Sequence, residues 1–134
     1  MRPTERTLGL LRDLGYWPGI VERWVPNPGS PGGGKRRDLY QIIDIIAIKP
    51  SETLGVQSCG QDVSGHVKKL VELEGNLRAW LAGDIRTFWL IGWRPLADYK
   101  KNGERAMRDR WQPRIIEYRF VSGEIVSDEI TLRS

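Results

Sequence analysis

Apolar residues recur with helical spacing in two stretches of the chain and run nearly unbroken in three others. Leu8, Leu11 and Leu14 form a stripe that predicts a first helix from about Thr4, just after Pro3, with Gly15 as its stop. Residues 40–48 read YQIIDIIAI, near-continuously apolar and β-branched, as in a strand covered on both faces. A turn at 50–53 leads to a second strand, LGVQSC at 54–59, which Gly60 ends. Helical spacing returns over 63–81, where Val67, Leu70, Val71, Leu77, Trp80 and Leu81 share one face and Gly83 follows the end. RTFWLIGW at 86–93 reads as a third buried strand, and 114–121 with 124–132 as a hairpin around Ser122-Gly123. A short strand is expected within 20–25, and 96–110 is a polar loop or an irregular helix. Residues 26–34, PNPGSPGGG, form a flexible loop closed by Lys35, Arg36 and Arg37. The order helix, strand, strand, helix, strand, hairpin predicts an α/β fold, with a mixed central β-sheet flanked by helices.

The 134 residues fit a single domain spanning 1–134, with no internal repeat. Net charge is +4, and arginine supplies 15 of the 21 basic residues. Arginine forks suit phosphate, so the bias points to an anionic partner, although a GC-rich genome produces the same bias. Cys59 and His66 are the only residues of their kinds, which excludes a disulfide framework and zinc sites built from several cysteines or histidines. Any metal would be a hard cation on oxygen ligands. No run of 18 apolar residues predicts a membrane span, and no apolar segment after Met1 predicts a signal peptide. Residues 29–36, GSPGGGKR, nearly spell a phosphate-binding P-loop. The residue after the lysine is Arg36 rather than a hydroxyl, and no helix is expected to follow, so an NTPase is rejected.

Asp44 is the most informative position, because a carboxylate in an apolar strand is costly unless it is paired or binds a metal. Gln57 on the next strand can lie beside it, and an amide oxygen can ligate Mg²⁺. Glu5 sits one turn before Leu8 at the edge of the first helix's stripe. Asp38, six residues before Asp44, is at an even strand spacing. Each has a structural alternative. Asp44 can pair with an arginine or backbone amides, Gln57 can be a sheet-surface glutamine, Glu5 can complement the helix dipole, and Asp38 can balance Arg36 and Arg37.

Together, Glu5-Arg6-x-Leu8, Leu11-Arg12-Asp13-x-Gly15-Tyr16, Asp44-Ile45-Ile46-Ala47-Ile48 and Gly55-Val56-Gln57-Ser58-Cys59 resemble the PD-(D/E)xK nuclease superfamily. The nearest likeness is to archaeal-type Holliday-junction resolvases and their phage relatives, over about residues 4–95. The resemblance implies a restriction-endonuclease-like core in which a glutamate-bearing helix, a D-I-I-A strand, an E-x-K strand, a long helix and an apolar strand follow in order. It implies Mg²⁺ or Mn²⁺ held by Glu5, Asp44 and Gln57, with the Ser58 carbonyl as a further ligand; Asp38, on its strand spacing alone, could be a ligand or a supporting acid. It also implies a branched-DNA substrate, a homodimer making paired cuts, a role in DNA recombination, and a cytoplasmic location (the host's, if phage-encoded). Trp-rich surface on the second helix or third strand would form the dimer interface.

The chain departs from the family pattern at Gln57 and Cys59, where E-x-K would stand. A neutral thiol cannot orient water or stabilise phosphate charge as lysine does. Lys68 or Lys69 near the start of the second helix could supply that ammonium, and His66 is a weaker substitute. The alternative for the lysines is a solvated helix face, with Lys68 and Glu72 spaced as an i,i+4 pair. Residues 94–119 carry eight basic residues against four acidic ones, interleaved with Trp93, Tyr99 and Trp111. Arg105, Arg108 and Arg110 there, with Lys35, Arg36 and Arg37, are the expected DNA contacts. The expected activity is a structure-selective, metal-dependent endodeoxyribonuclease, Holliday-junction resolvase-like. The competing expectation is a nuclease-fold DNA-binding module with weakened or lost catalysis.

Overall fold

The computed structural model describes residues 1–83 and 85–132. Helix α1 (Pro3–Asp13) starts with proline, whose missing N–H has no partner to lose there, and Gly15 at φ +90° turns the chain out of it. Strand β1 (Trp17–Ile20) pairs antiparallel with β4 (Ile45–Lys49), and β4 pairs antiparallel with β5 (Glu52–Cys59). Two helices, α2 (Val63–Glu72) and α3 (Glu74–Leu81), cross over to β6 (Arg86–Leu96), which lies parallel to β5. Antiparallel β7 (Arg110–Val121) and β8 (Glu124–Ile130) complete a six-stranded sheet in the order β1-β4-β5-β6-β7-β8. Between β1 and β4 the chain makes a separate two-stranded ribbon of β2 (Arg23–Pro26) and β3 (Gly34–Arg37). The result is an α/β fold, a mixed sheet with three helices packed against it.

Strand alternation divides the core into two layers. Leu54 and Val56 of β5 and Trp89 and Ile91 of β6 join Leu11 of α1 and Tyr16 on one face. Phe88 and Leu90 join Leu70, Leu77, Trp80 and Leu81 of α2 and α3 on the other. Trp80 lies over Gly55, where an added Cβ would come within 2.8 Å of the indole and 2.9 Å of Ile43 Cδ1. The indole N–H also donates to the Thr87 carbonyl at 2.8 Å, so the ring is held in place. Gly55→Ala is therefore expected to cost about 1–3 kcal/mol, as overpacking does, read as a lower midpoint in thermal denaturation. An unchanged midpoint would mean that the ring moves freely.

Several expectations need correction. The 40–48 segment is a strand only from Ile45. Tyr40 and Gln41 have positive φ, 52° and 64°, and residues 39–43 form a tight turn closed by a Leu39–Ile43 bridge. Ile42 and Ile43 are fully buried in that turn, so an apolar run could not separate it from a strand. The single strand expected in 20–25 is two strand ends belonging to different sheets. The 26–37 loop is largely the β2–β3 ribbon and its turn. The 63–81 helix breaks at Leu73, which has φ −103° and ψ 32°. The break shifts the phase of α3 relative to α2, and Val71, just before it, is 71% exposed beside the buried Leu70. Trp80, Trp89 and Trp93 are all buried, so the second helix and third strand offer no tryptophan-rich interface. Among the described residues, no helix is long and apolar enough to cross a membrane.

Candidate metal centre

Asp44 stands immediately before β4 rather than within it. Its N–H donates to the Val56 carbonyl at 3.0 Å. Strand β5 runs on past the end of β4, and the Asp44 carboxylate takes the place of the missing strand partner. It accepts the Ser58 N–H at 3.1 and 3.2 Å on its two oxygens. The Asp44 carbonyl in turn accepts N–H groups from Val21, at 2.9 Å, and Glu22, at 3.4 Å. Those bonds continue the β1–β4 pairing around the corner and carry Glu22 to Asp44. Asp38 arrives through the turn at 39–43, not through strand alternation, and accepts the Gln57 Nε2–H at 3.1 Å.

Glu22, Asp38 and Asp44 thus converge, with one carboxylate oxygen of each within 4.8 Å of the others. Asp44 is 5% exposed and Gln57 2% exposed. The second amide atom of Gln57, Oε1, is buried without a hydrogen-bond partner. Leaving such an oxygen unsatisfied costs about 1–3 kcal/mol, and a cation beside the neighbouring carboxylates would remove that cost. Burial pushes the Asp44 carboxyl up to about 8. The Ser58 N–H pulls it down, and the charges of Asp38 and Glu22 push it up again. Among the described residues, the one cation joined to the three acids is Arg36, whose guanidinium meets Glu22 at 3.1 Å. The three carboxylates form an all-oxygen cluster that could hold a hard cation such as Mg²⁺ or Mn²⁺, and the Gln57 amide oxygen, on the side chain bonded to Asp38, is a candidate further donor.

The structure gathers Asp38, Asp44, Gln57 and Ser58, but not the other expected residues. Glu5 is exposed on the first turn of α1 and is not among the converging acids; the third acid is Glu22. Ser58 is tied to α1 by its Oγ, 2.7 Å from Thr7 Oγ1, and Thr7 also accepts the Trp93 indole N–H at 2.9 Å. Lys68 is exposed and Lys69 half-buried on α2; neither ion-pairs with the three acids, and Lys68 makes no pair with Glu72. Cys59 is buried, and burial, with Asp44 and Asp62 adding to it, pushes its thiol up to about 11. His66 is turned to the Asp62 carbonyl at 2.8 Å. The sequence carried no signal for Glu22, because its approach depends on β1 pairing with β4 some twenty residues later.

The basic segment is partly self-satisfied. Arg105 pairs with Asp109, Arg114 with Glu129 and Arg119 with Asp128. Arg108 and Arg110 are exposed and make no ion pair among the described residues. Trp93 is buried and unavailable for stacking, whereas Tyr99 and Trp111 are exposed, with Arg6 over the Trp111 ring at 3.8 Å. Comparison with protein-family models, with curated proteins and with solved structures returns no match.

Proposed function

We propose that the protein is a metal-dependent DNA endonuclease of the resolvase kind, with Asp38, Asp44 and Gln57 as the heart of its metal site and Glu22 at its edge. The observation that carries this reading is the orphaned Gln57 Oε1, buried on the amide whose Nε2–H donates to Asp38, one of three converging carboxylates at which Arg36 is the one ion-paired cation among the described residues. A divalent cation bound there would supply activated water and neutralise phosphate charge. Asp44 and Gln57 would hold it from adjoining strands, and Asp38 is oriented by the Gln57 amide. Arg36, paired with Glu22, sets one positive group at the edge of the acids.

Choice of DNA as substrate rests on the resemblance and on the basic surface. The D-I-I-A and Q-S-C segments are neighbours in the sheet, followed by the crossover helices and the apolar β6, in the order the resemblance implies. A homodimer making paired cuts belongs to the same proposal. The second reading, a DNA-binding module without catalysis, is favoured by the buried, protonated Cys59.

Labelled four-way junction and linear duplex, incubated with Mg²⁺, Mn²⁺ or EDTA, test the proposal. Metal-dependent cuts in the junction are expected, from a species of dimeric mass by light scattering. Binding without cleavage under every metal would hand the protein to the second reading. Neutralising Arg105, Arg108 and Arg110 together should flatten the salt dependence of binding. The log–log slope should shrink by about 0.9 for each phosphate that is no longer neutralised on duplex DNA. An unchanged slope would mean that these arginines face away from DNA.

A further inference from the structure

The β2–β3 ribbon stands outside the main sheet, beside the acids. Its cross-strand pairs are Arg23–Arg37, Trp24–Arg36, Val25–Lys35 and Pro26–Gly34, so Trp24 and Arg36 share a face. Trp24 is 53% exposed and belongs to neither buried core cluster. The ring is nonetheless placed. It lies over Gly34, where an added Cβ would come within 2.8 Å of Trp24 Cε2 and Cζ2. Arg2, Arg23 and Arg36 surround a depression of about 270 Å³ that the Trp24 ring walls and that reaches Glu22. Glu22 is also a member of the acid cluster, so the depression and the candidate metal centre share that residue. Arg36 bridges them through its pair with Glu22.

We infer that Trp24 is a stacking platform for an unpaired nucleobase. Adjoining phosphates would lie among Arg2, Arg23 and Arg36, and the strand would lead on to the acids. The identity of the polymer rests on the nuclease reading; the stacking does not. A flat aromatic face open to solvent and ringed by guanidinium groups fits a base with its phosphates, since every base has a π-face and arginine binds phosphate by its fork. A paired base offers its edges in a groove and not its face, so the inference assigns the protein a preference for unpaired bases, as at a branch point or a single-stranded end.

The test measures binding in EDTA, where cleavage plays no part. Fluorescence anisotropy compares a single-stranded oligonucleotide with a blunt duplex for the wild type, Trp24→Ala, Trp24→Leu and Trp24→Phe. The wild type should prefer the single strand. Trp24→Ala and Trp24→Leu should each weaken single-strand binding by roughly 5- to 150-fold, the range for loss of one stacked base, while Trp24→Phe keeps most of it. Duplex binding should change little in any variant. A 2-aminopurine placed in the single strand should be quenched by the wild type and Trp24→Phe but not by Trp24→Leu. Should Trp24→Ala fail to fold, the comparison of leucine with phenylalanine still decides. Equal binding by the leucine and phenylalanine variants, or equal loss on duplex and single strand, overturns the inference while leaving the nuclease proposal standing. Failure of cleavage with stacking intact does the reverse.

Discussion

Asp44→Asn should remove metal-dependent cleavage and at the same time make the metal-free protein more stable. Asp44 is the most buried of the three converging acids, and its carboxyl is pushed up to about 8 by burial, with Asp38 and Glu22 adding to it. A folded-state value above the unfolded one, near 4, fixes the sign of the pH dependence. The stabilising contribution is complete below about pH 4 and is lost as pH rises toward 8, because the unfolded chain ionises freely while the folded one resists. Stability of the metal-free protein should therefore fall over that window, by at most about 1.4 kcal/mol per pH unit. For a chain of this size each kcal/mol is worth about 4 °C in melting temperature. Asparagine keeps an acceptor for the Ser58 N–H and cannot ionise, so the variant's melting temperature should be nearly flat across the window. The ordering reverses when Mg²⁺ or Mn²⁺ is added. Metal should raise the melting temperature of the wild type and leave that of the variant unchanged. Cleavage should drop by at least about a hundredfold, since losing even an outer partner of a metal ligand costs 10- to 100-fold. Thermal scans at pH 5 and pH 8, with and without metal, read the stability half. Equal metal-induced shifts in wild type and variant would remove Asp44 from the metal site.

Much of this centre was visible in the sequence, for reasons that differ from residue to residue. Asp44 stood out because an apolar β-branched run makes any charge in it expensive, and that remains true although the strand begins only at Ile45. Gln57 was legible as its neighbour because a short turn between two strands makes antiparallel pairing nearly obligatory. Asp38 was named through strand periodicity, yet a tight turn with two positive-φ residues brings it in. Glu22 was illegible. Nothing local marks it, and it is delivered by the Asp44 carbonyl accepting the Val21 and Glu22 N–H groups. The resemblance gives Glu5 its role, but two residues, about 200° around the helix, separate that exposed position from the inward one, which Thr7 occupies. The ribbon hid inside a glycine-rich segment whose composition reads as a loop. Its pairing comes from Trp24, Val25 and the basic residues opposite them rather than from the glycines.

Gln57→Glu should act in opposite directions with and without metal. In the present centre the Gln57 Nε2–H donates to Asp38 at 3.1 Å, and Oε1 has no partner. Glutamate would remove the donor and set a fourth carboxylate against Asp38, beside Asp44 and Glu22, in a buried position. Like charges held this close raise one another's proton affinity and destabilise the ionised fold. The metal-free variant should accordingly melt several degrees below wild type at pH 8, and the gap should narrow toward pH 5 as the carboxylates protonate. With a divalent cation present the added charge becomes an advantage, because a carboxylate binds a hard cation more strongly than an amide. The metal concentration for half-maximal stabilisation should fall by about tenfold or more, equivalent to at least about 1.4 kcal/mol. Any metal-dependent cleavage should reach half its maximum at a correspondingly lower concentration. A general packing defect would lower stability under both conditions and leave the metal requirement where it was. Metal titrations of the melting temperature therefore separate the two outcomes without needing an active enzyme. If the variant needs as much metal as the wild type, or more, Gln57 Oε1 does not face a cation, and the metal centre loses the observation on which it rests.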